Sequence, residues 1–243
     1  MEPATPPRSE SAPGTPVGRR VVLGLLGVGA LGVLTGARIQ GFLERTVGPI
    51  VAKDGTGLGA LLPFGRFRFY TVTGSFPSRS ADQYRLRVRG LVDSPIELSF
   101  ADLRAMEPTA LTRDFQCVTG WRVSDVQWRG VPLADLLDRA GVTADARAVR
   151  FTSFDGAYTE SLTLEQACRR DVIVAYELEG APLSNTHGGP VRLYVAPMYG
   201  YKSLKWLDTI DVVDKVVPGY WENRGDDGDA WVGRSNGRSD QST

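Results

Sequence analysis

The feature that most restricts this chain is the spacing of its apolar residues between about positions 64 and 224. They come in short stretches of period two, each cut off by a turn. A period of two puts alternate side chains on the two faces of a strand, whereas a helix needs apolar residues every three or four positions. Residues 66–73 (RFRFYTVT) and 84–88 (YRLRV) alternate in this way, and 148–154, 172–176, 191–195 and 210–213 also read as strands. Asp93-Ser94-Pro95 marks a turn. Helices are few and short. One is expected after a Ser99 N-cap, carrying Leu103 and Met106 and ending before Pro108. A second spans 133–140 and stops at Gly141, and a third runs over 164–170 behind a Thr163 cap. The expected class is α+β with a mostly β core and short helices, in one domain over residues 64–225. No internal repeat is visible.

The two ends read differently. Residues 1–18 hold five prolines and no apolar period, which suits a disordered tail. Residues 19–37 begin with Arg19-Arg20 and continue as an uncharged run, 21–37, diluted by five glycines. That is short for a spanning helix and resembles a twin-arginine export signal, with an uncleaved membrane anchor as the alternative. Residues 38–63 read as a linker. Residues 226–243, rich in Asp, Gly, Ser and Asn, read as a mobile tail in which Trp231 stands out. The expected location is outside the cytoplasm, in a periplasmic or equivalent compartment, with membrane association through 21–37 if the segment is retained.

Charge narrows the function. Lys and Arg number 28, Asp and Glu also 28, and nucleic-acid binding normally leaves a basic excess. Two cysteines, Cys117 and Cys168, are too few for a disulfide scaffold. With one histidine, His187, a protein-only zinc site of the usual Cys/His type is not expected either.

Two segments carry chemistry. Cys117 precedes Gly120-Trp121 and, further on, Trp128, so a thiolate on a turn would face large flat walls. Thiolate is a soft ligand suited to a redox-active metal. The second segment starts at His187-Gly188-Gly189-Pro190-Val191-Arg192, passes through a strand and reaches Pro197 to Leu207. Its Arg192, Lys202 and Lys205, with the Ser203 hydroxyl, could grip an anionic phosphate and a flat hydrogen-bonding heterocycle. A buried structural cysteine and a solvated basic loop are the plain alternatives.

Together these motifs resemble the molybdopterin-binding domain of the sulfite oxidase family, over about residues 66–224. The likeness extends to its bacterial periplasmic branch, which includes the catalytic subunit of the methionine sulfoxide reductase system. The resemblance implies a Mo-molybdopterin cofactor with Cys117 as the protein ligand to molybdenum. It implies cofactor contacts from His187, Arg192, Ser203 and Lys205, from Thr152 or Ser153, and from the loop Phe69-Tyr70-Thr71, and Lys202 joins them as a further cofactor contact from the basic loop itself. His187 stands where the methionine sulfoxide reductase branch carries Asn. Arg122, Trp128 and Tyr199 are the substrate-facing candidates implied alongside Cys117. The expected reaction is a two-electron oxo transfer on a small substrate or a sulfoxide. No haem-attachment motif accompanies the lone histidine, so electrons are expected to pass to or from a separate partner such as a membrane cytochrome. Two other readings stay open: a thiol hydrolase using Cys117, His187 and Asn185, and a non-catalytic exported binding module.

Overall fold

The computed structural model describes residues 67–239, which form two five-stranded sheets with short helices packed against them. The expected export segment and linker, residues 19–63, lie outside the described residues. Among the described residues no helix is long and apolar enough to cross a membrane.

The first sheet has the order β2 (Ile96–Ser99), β1 (Arg85–Gly90), β10 (Leu207–Val213), β5 (Ala148–Ser153), β6 (Thr159–Thr163). β1 and β10 run parallel; the other pairs are antiparallel. The second sheet runs β3 (Thr109–Gln116), β4 (Arg122–Pro132), β7 (Val172–Leu178), β8 (Ala181–Pro182), and β9 (Arg192–Val195) also pairs with β7. Residues 172–176 of β7 are an unbroken apolar run because both faces of the strand are covered there. Its Val172, Val174 and Tyr176 enter the main core, while Ile173 and Ala175 join a smaller aromatic cluster with Phe115, Trp121, Trp128 and Tyr194.

Local sequence explains the helices. At α1 (Phe100–Ala105) Ser99 and Asp102 form a reciprocal capping box, and at α3 (Leu164–Ala167) Thr163 and Gln166 form another. Each cap is worth about 1 kcal/mol. α2 (Leu133–Ala140) buries Leu133, Leu136 and Leu137 and ends at Gly141 with φ 71, the left-handed cap glycine takes without strain. Gly130 has a different role. A Cβ there would collide with Val174 O, so the β4–β7 bulge closes only over glycine.

Four expectations need correction. Residues 67–73 are not a strand: no neighbouring edge pairs with them, and they run instead along the cavity described below. The helix expected over 164–170 ends at Ala167. The longest hairpin, β3–β4, was not anticipated. Residues 226–239 are no loose tail either. Ala230 and Val232 are buried in the main core, Trp231 bridges to Met198, and Tyr199 N donates to Ala230 O at 2.8 Å. Two small apolar residues flanking one tryptophan suffice for that docking, and a polar-rich composition hides them.

Candidate active site

The β3–β4 hairpin turns at Cys117. Cys117 N donates to Trp121 O at 2.9 Å and Gly120 N to Cys117 O at 3.0 Å, a tight turn made possible by Gly120 at φ +100. The half-buried Cys117 Sγ lies 3.2 Å from Thr119 Oγ1 and opens into a cavity of about 570 Å³. The opposite wall comes from the segment around β9. Ser184 caps the turn Asn185–His187, and its Oγ lies 2.8 Å from His187 Nδ1. Phe67 and Phe69 pack edge-on to the imidazole, with centroids 5.0 and 4.8 Å away. Gly189 lies so close to Leu183 O that no side chain fits. Strand parity sets Arg192 on the same face of β9 as Tyr194, away from Leu193 and Val195 of the main core. Its guanidinium donates to His187 O at 2.8 Å and Ser203 O at 2.6 Å, welding the two cavity loops together. Lys205 Nζ reaches Tyr70 O at 2.5 Å and lies 4.5 Å above the Trp206 ring.

These basic groups are electrostatically frustrated. Burial, then the charges of Arg192 and Lys205, holds His187 down to about 4, so the imidazole is neutral at pH 7. Burial, then Arg192, lowers Lys205 to about 8, and burial lowers Arg192 to about 10. A cluster whose cations disfavour one another is stabilised by an arriving anion. Two buried acceptors in the same wall, Asp155 Oδ2 and Thr71 Oγ1, have no hydrogen-bond partner. An unpaired buried polar atom costs about 1–3 kcal/mol, so both are suited to a ligand with N–H or O–H donors.

Of the residues expected from sequence, Cys117, Phe69, Tyr70, Thr71, His187, Arg192, Ser203 and Lys205 line this one cavity. The Ser203 hydroxyl is spent on accepting from Val195 N at 3.0 Å. The rest lie elsewhere. Lys202 is buried on the far side of its loop, donating to Glu160 Oε2 at 3.1 Å and to Glu222 Oε1. Ser153 Oγ accepts from Asp155 N at 3.2 Å, and neither it nor Thr152 lines the cavity; Asp155 does, two residues on. Trp128 stacks on Tyr194 at 4.2 Å beneath the wall, and Trp121 takes the lining position. Tyr199 is buried with its hydroxyl accepting from Gly233 N. Arg122 faces Gln116 Oε1 at 2.6 Å and Asp114 at 3.3 Å, its charge balanced. Missed altogether were Asp155, Tyr158 and Tyr201. The cue for Asp155 and Tyr158 was the Asp155-Gly156 turn, readable only once β5 and β6 are known to be a hairpin.

Residues 73–221 match the family model described as the oxidoreductase molybdopterin binding domain. The chain belongs to the sulfite oxidase family of molybdopterin-dependent oxidoreductases. It is 36% identical over 162 residues to the uncharacterized oxidoreductase YuiH of Bacillus subtilis, covering 65% of this chain and 81% of that one. With the sulfite oxidase of Arabidopsis thaliana it shares 33% over 172 residues, covering 57% of this chain but 44% of the plant enzyme. The crystal structure of the sulfane dehydrogenase SoxCD from Paracoccus pantotrophus superposes with a TM-score of 0.55 at 26% identity, over 60% of this chain and 42% of that one. The chain thus spans less than half of the latter two proteins. Its α+β fold is the sulfite-oxidase-type molybdopterin domain, and its cofactor is Mo-molybdopterin. The thiol, the anion-seeking cations and the unpaired acceptors fit that group.

Proposed function

We propose that this protein is an exported molybdenum–molybdopterin enzyme that carries out two-electron oxo transfer on a small substrate and trades electrons with a separate protein. One observation carries the reading: the Cys117 thiol opens into the same cavity as His187, Arg192 and Lys205. The bound cofactor supplies the redox chemistry, and the protein supplies binding, orientation and field. Cys117 holds the metal on a hairpin whose backbone is fixed by two hydrogen bonds. Arg192 and Lys205 neutralise the phosphate, and Asp155 Oδ2 and Thr71 Oγ1 receive donors from the organic part. Phe67, Phe115, Trp121 and Trp206 keep water from the reacting centre.

A thiol hydrolase fits less well. Such an enzyme needs its nucleophile hydrogen-bonded to its base, yet Cys117 Sγ neighbours Thr119 and the His187 ring pairs with Ser184. Asn185, the orienter in that scheme, donates to Phe76 O instead. Elemental and pterin analysis of protein matured in its native host tests the choice. About one molybdenum per chain with pterin fluorescence supports the proposal; metal-free protein whose Cys117 consumes iodoacetamide ends it.

Export is supported by Arg19-Arg20 ahead of the weakly apolar run. Changing Arg19→Lys and Arg20→Lys together should leave the protein inside the cell, followed by fractionation and immunoblot; unchanged export would rule the route out. The outside electron partner is supported by the single histidine and the lack of a haem-attachment motif.

A further inference from the structure

The cavity into which Cys117 opens has a wall of a second kind. Asp226 and Trp221 line it together with Tyr158 and Tyr201, an acidic and aromatic corner in a site whose other charges are mostly basic. A turn just past the 73–221 family stretch builds this corner. Arg224 N and Asp226 N both donate to Trp221 O, at 2.8 and 3.2 Å, with Gly225 at φ +105 between them. Residue 226 is thereby returned to Trp221, and Glu222, paired with the buried Lys202, pins the turn from within. Tyr220 stacks on Tyr158 at 5.5 Å and meets Trp221 edge-on at 5.2 Å, so the rings hold one another.

The acidic residues of this turn are used unequally. Asp227 Oδ2 accepts from Asn236 N, and Asp229 Oδ1 accepts from Gln166 Nε2 at 2.8 Å. The half-buried Asp226 carboxylate has no ion pair or hydrogen bond among the described residues. Arg224, two residues away, lies over the Tyr220 ring at 3.6 Å instead. Burial, then the charge of Asp227, holds the Asp226 carboxyl above the usual carboxylate value, and an arriving cation would relieve it. Burial chiefly raises the Tyr158 and Tyr201 hydroxyls, and the Asp226 charge adds to the shift in both, so the three groups lie within electrostatic reach. A carboxylate beside aromatic rings suits an alkylammonium group: the carboxylate meets the charge and the ring faces take the carbon-bound hydrogens around it.

Resting on the function proposed above, we infer that Asp226 is a specificity-determining residue which, with Trp221, Tyr158 and Tyr201, receives the alkylammonium group of a small cationic substrate. The basic residues hold the anionic cofactor and the acidic corner holds a positive substrate, so charge sorts the two within one cavity.

The test uses the full-length chain without cofactor, carrying Cys168→Ser so that Cys117 is the one thiol. Its modification is timed with two methanethiosulfonates of similar size, one bearing trimethylammonium and the other sulfonate. Asp226→Asn should lower the cation-to-anion rate ratio about threefold at low ionic strength, Asp226→Glu should keep most of it, and high salt should erase the difference. A ratio unchanged by Asp226→Asn overturns the inference, as does an equal change with both reagents, which would mark a purely structural role. In the molybdenum-loaded enzyme, with a reduced dye as electron donor, 2-aminoethyl methyl sulfoxide should be preferred in kcat/KM over its neutral counterpart methyl propyl sulfoxide. Asp226→Asn should cut that preference about tenfold, mostly through KM. Loaded wild-type enzyme that treats the two alike, or turns over neither, overturns it as well. Molybdenum content, measured separately, reports on the proposed function alone: its absence ends that reading while the thiol rates still judge Asp226.

Discussion

Cys117→Ser should yield a folded protein whose redox turnover falls by roughly 10³-fold or more. The cofactor carries the chemistry, and this residue is the protein's hold on its metal. Changing outer partners of a metal site already costs about 10–100-fold, so loss of the one protein ligand should cost more. The fold should barely notice. Cys117 is half-buried at a hairpin turn, its backbone hydrogen bonds to Trp121 and Gly120 do not involve the side chain, and serine is nearly the same size. A near-isosteric change of this kind costs less than about 1.5 kcal/mol. Unchanged thermal melting with lost dye-linked turnover is the expected pair of results. Full turnover in the variant would remove Cys117 from the metal.

Lys202→Met should do the reverse, striking stability first. The Lys202 ammonium sits between Glu160 and Glu222, with the three side chains 1%, 0% and 5% exposed. Removing one partner of a buried ion pair strands the other charge, at a cost of about 3–5 kcal/mol. For a domain of this size that corresponds to a melting point roughly 6–20 °C lower. The loss should depend on pH. Burial raises the Glu160 carboxyl from 4.5 to about 7, against the lowering pull of Lys202. Between those values the folded state holds a proton that the unfolded chain has released. Wild-type stability therefore falls as pH rises from about 4.5 to about 7, by up to about 3 kcal/mol, and levels off above. Without Lys202 the folded carboxyl titrates higher still, so the decline continues past pH 7. The stability gap between variant and wild type should be smallest near pH 5 and largest at pH 8, read from urea midpoints. A gap that stays level across that range would mean Lys202 acts by packing rather than charge.

That same lysine shows where sequence reading stopped. Lys202, Ser203 and Lys205 lie within four positions; the resemblance implies the latter two as cofactor contacts, and Lys202 joins them because it shares their basic loop. A turn sends neighbouring side chains to opposite sides, and Glu160, 42 residues away, claims Lys202. Trp121 and Trp128 divided likewise: the first ends in the cavity wall, the second beneath it against Tyr194. Residues 67–73 have the alternation of a strand but pair with no strand and run along the cavity instead.

What the sequence determined by itself was whatever is local. The capping pairs Ser99–Asp102 and Thr163–Gln166, the left-handed glycine at 141 and the apolar run of β7 each act within a few residues, so their cues are contiguous. The cysteine and the His187–Arg192 spacing were legible for the same reason. Tertiary structure decided which of the candidate side chains meet in one cavity, that Asp155 joins them, and that residues 226–239 dock instead of drifting. Those outcomes depend on strand parity and on pairings between segments tens of residues apart, where burial and charge select partners that no spacing along the chain encodes.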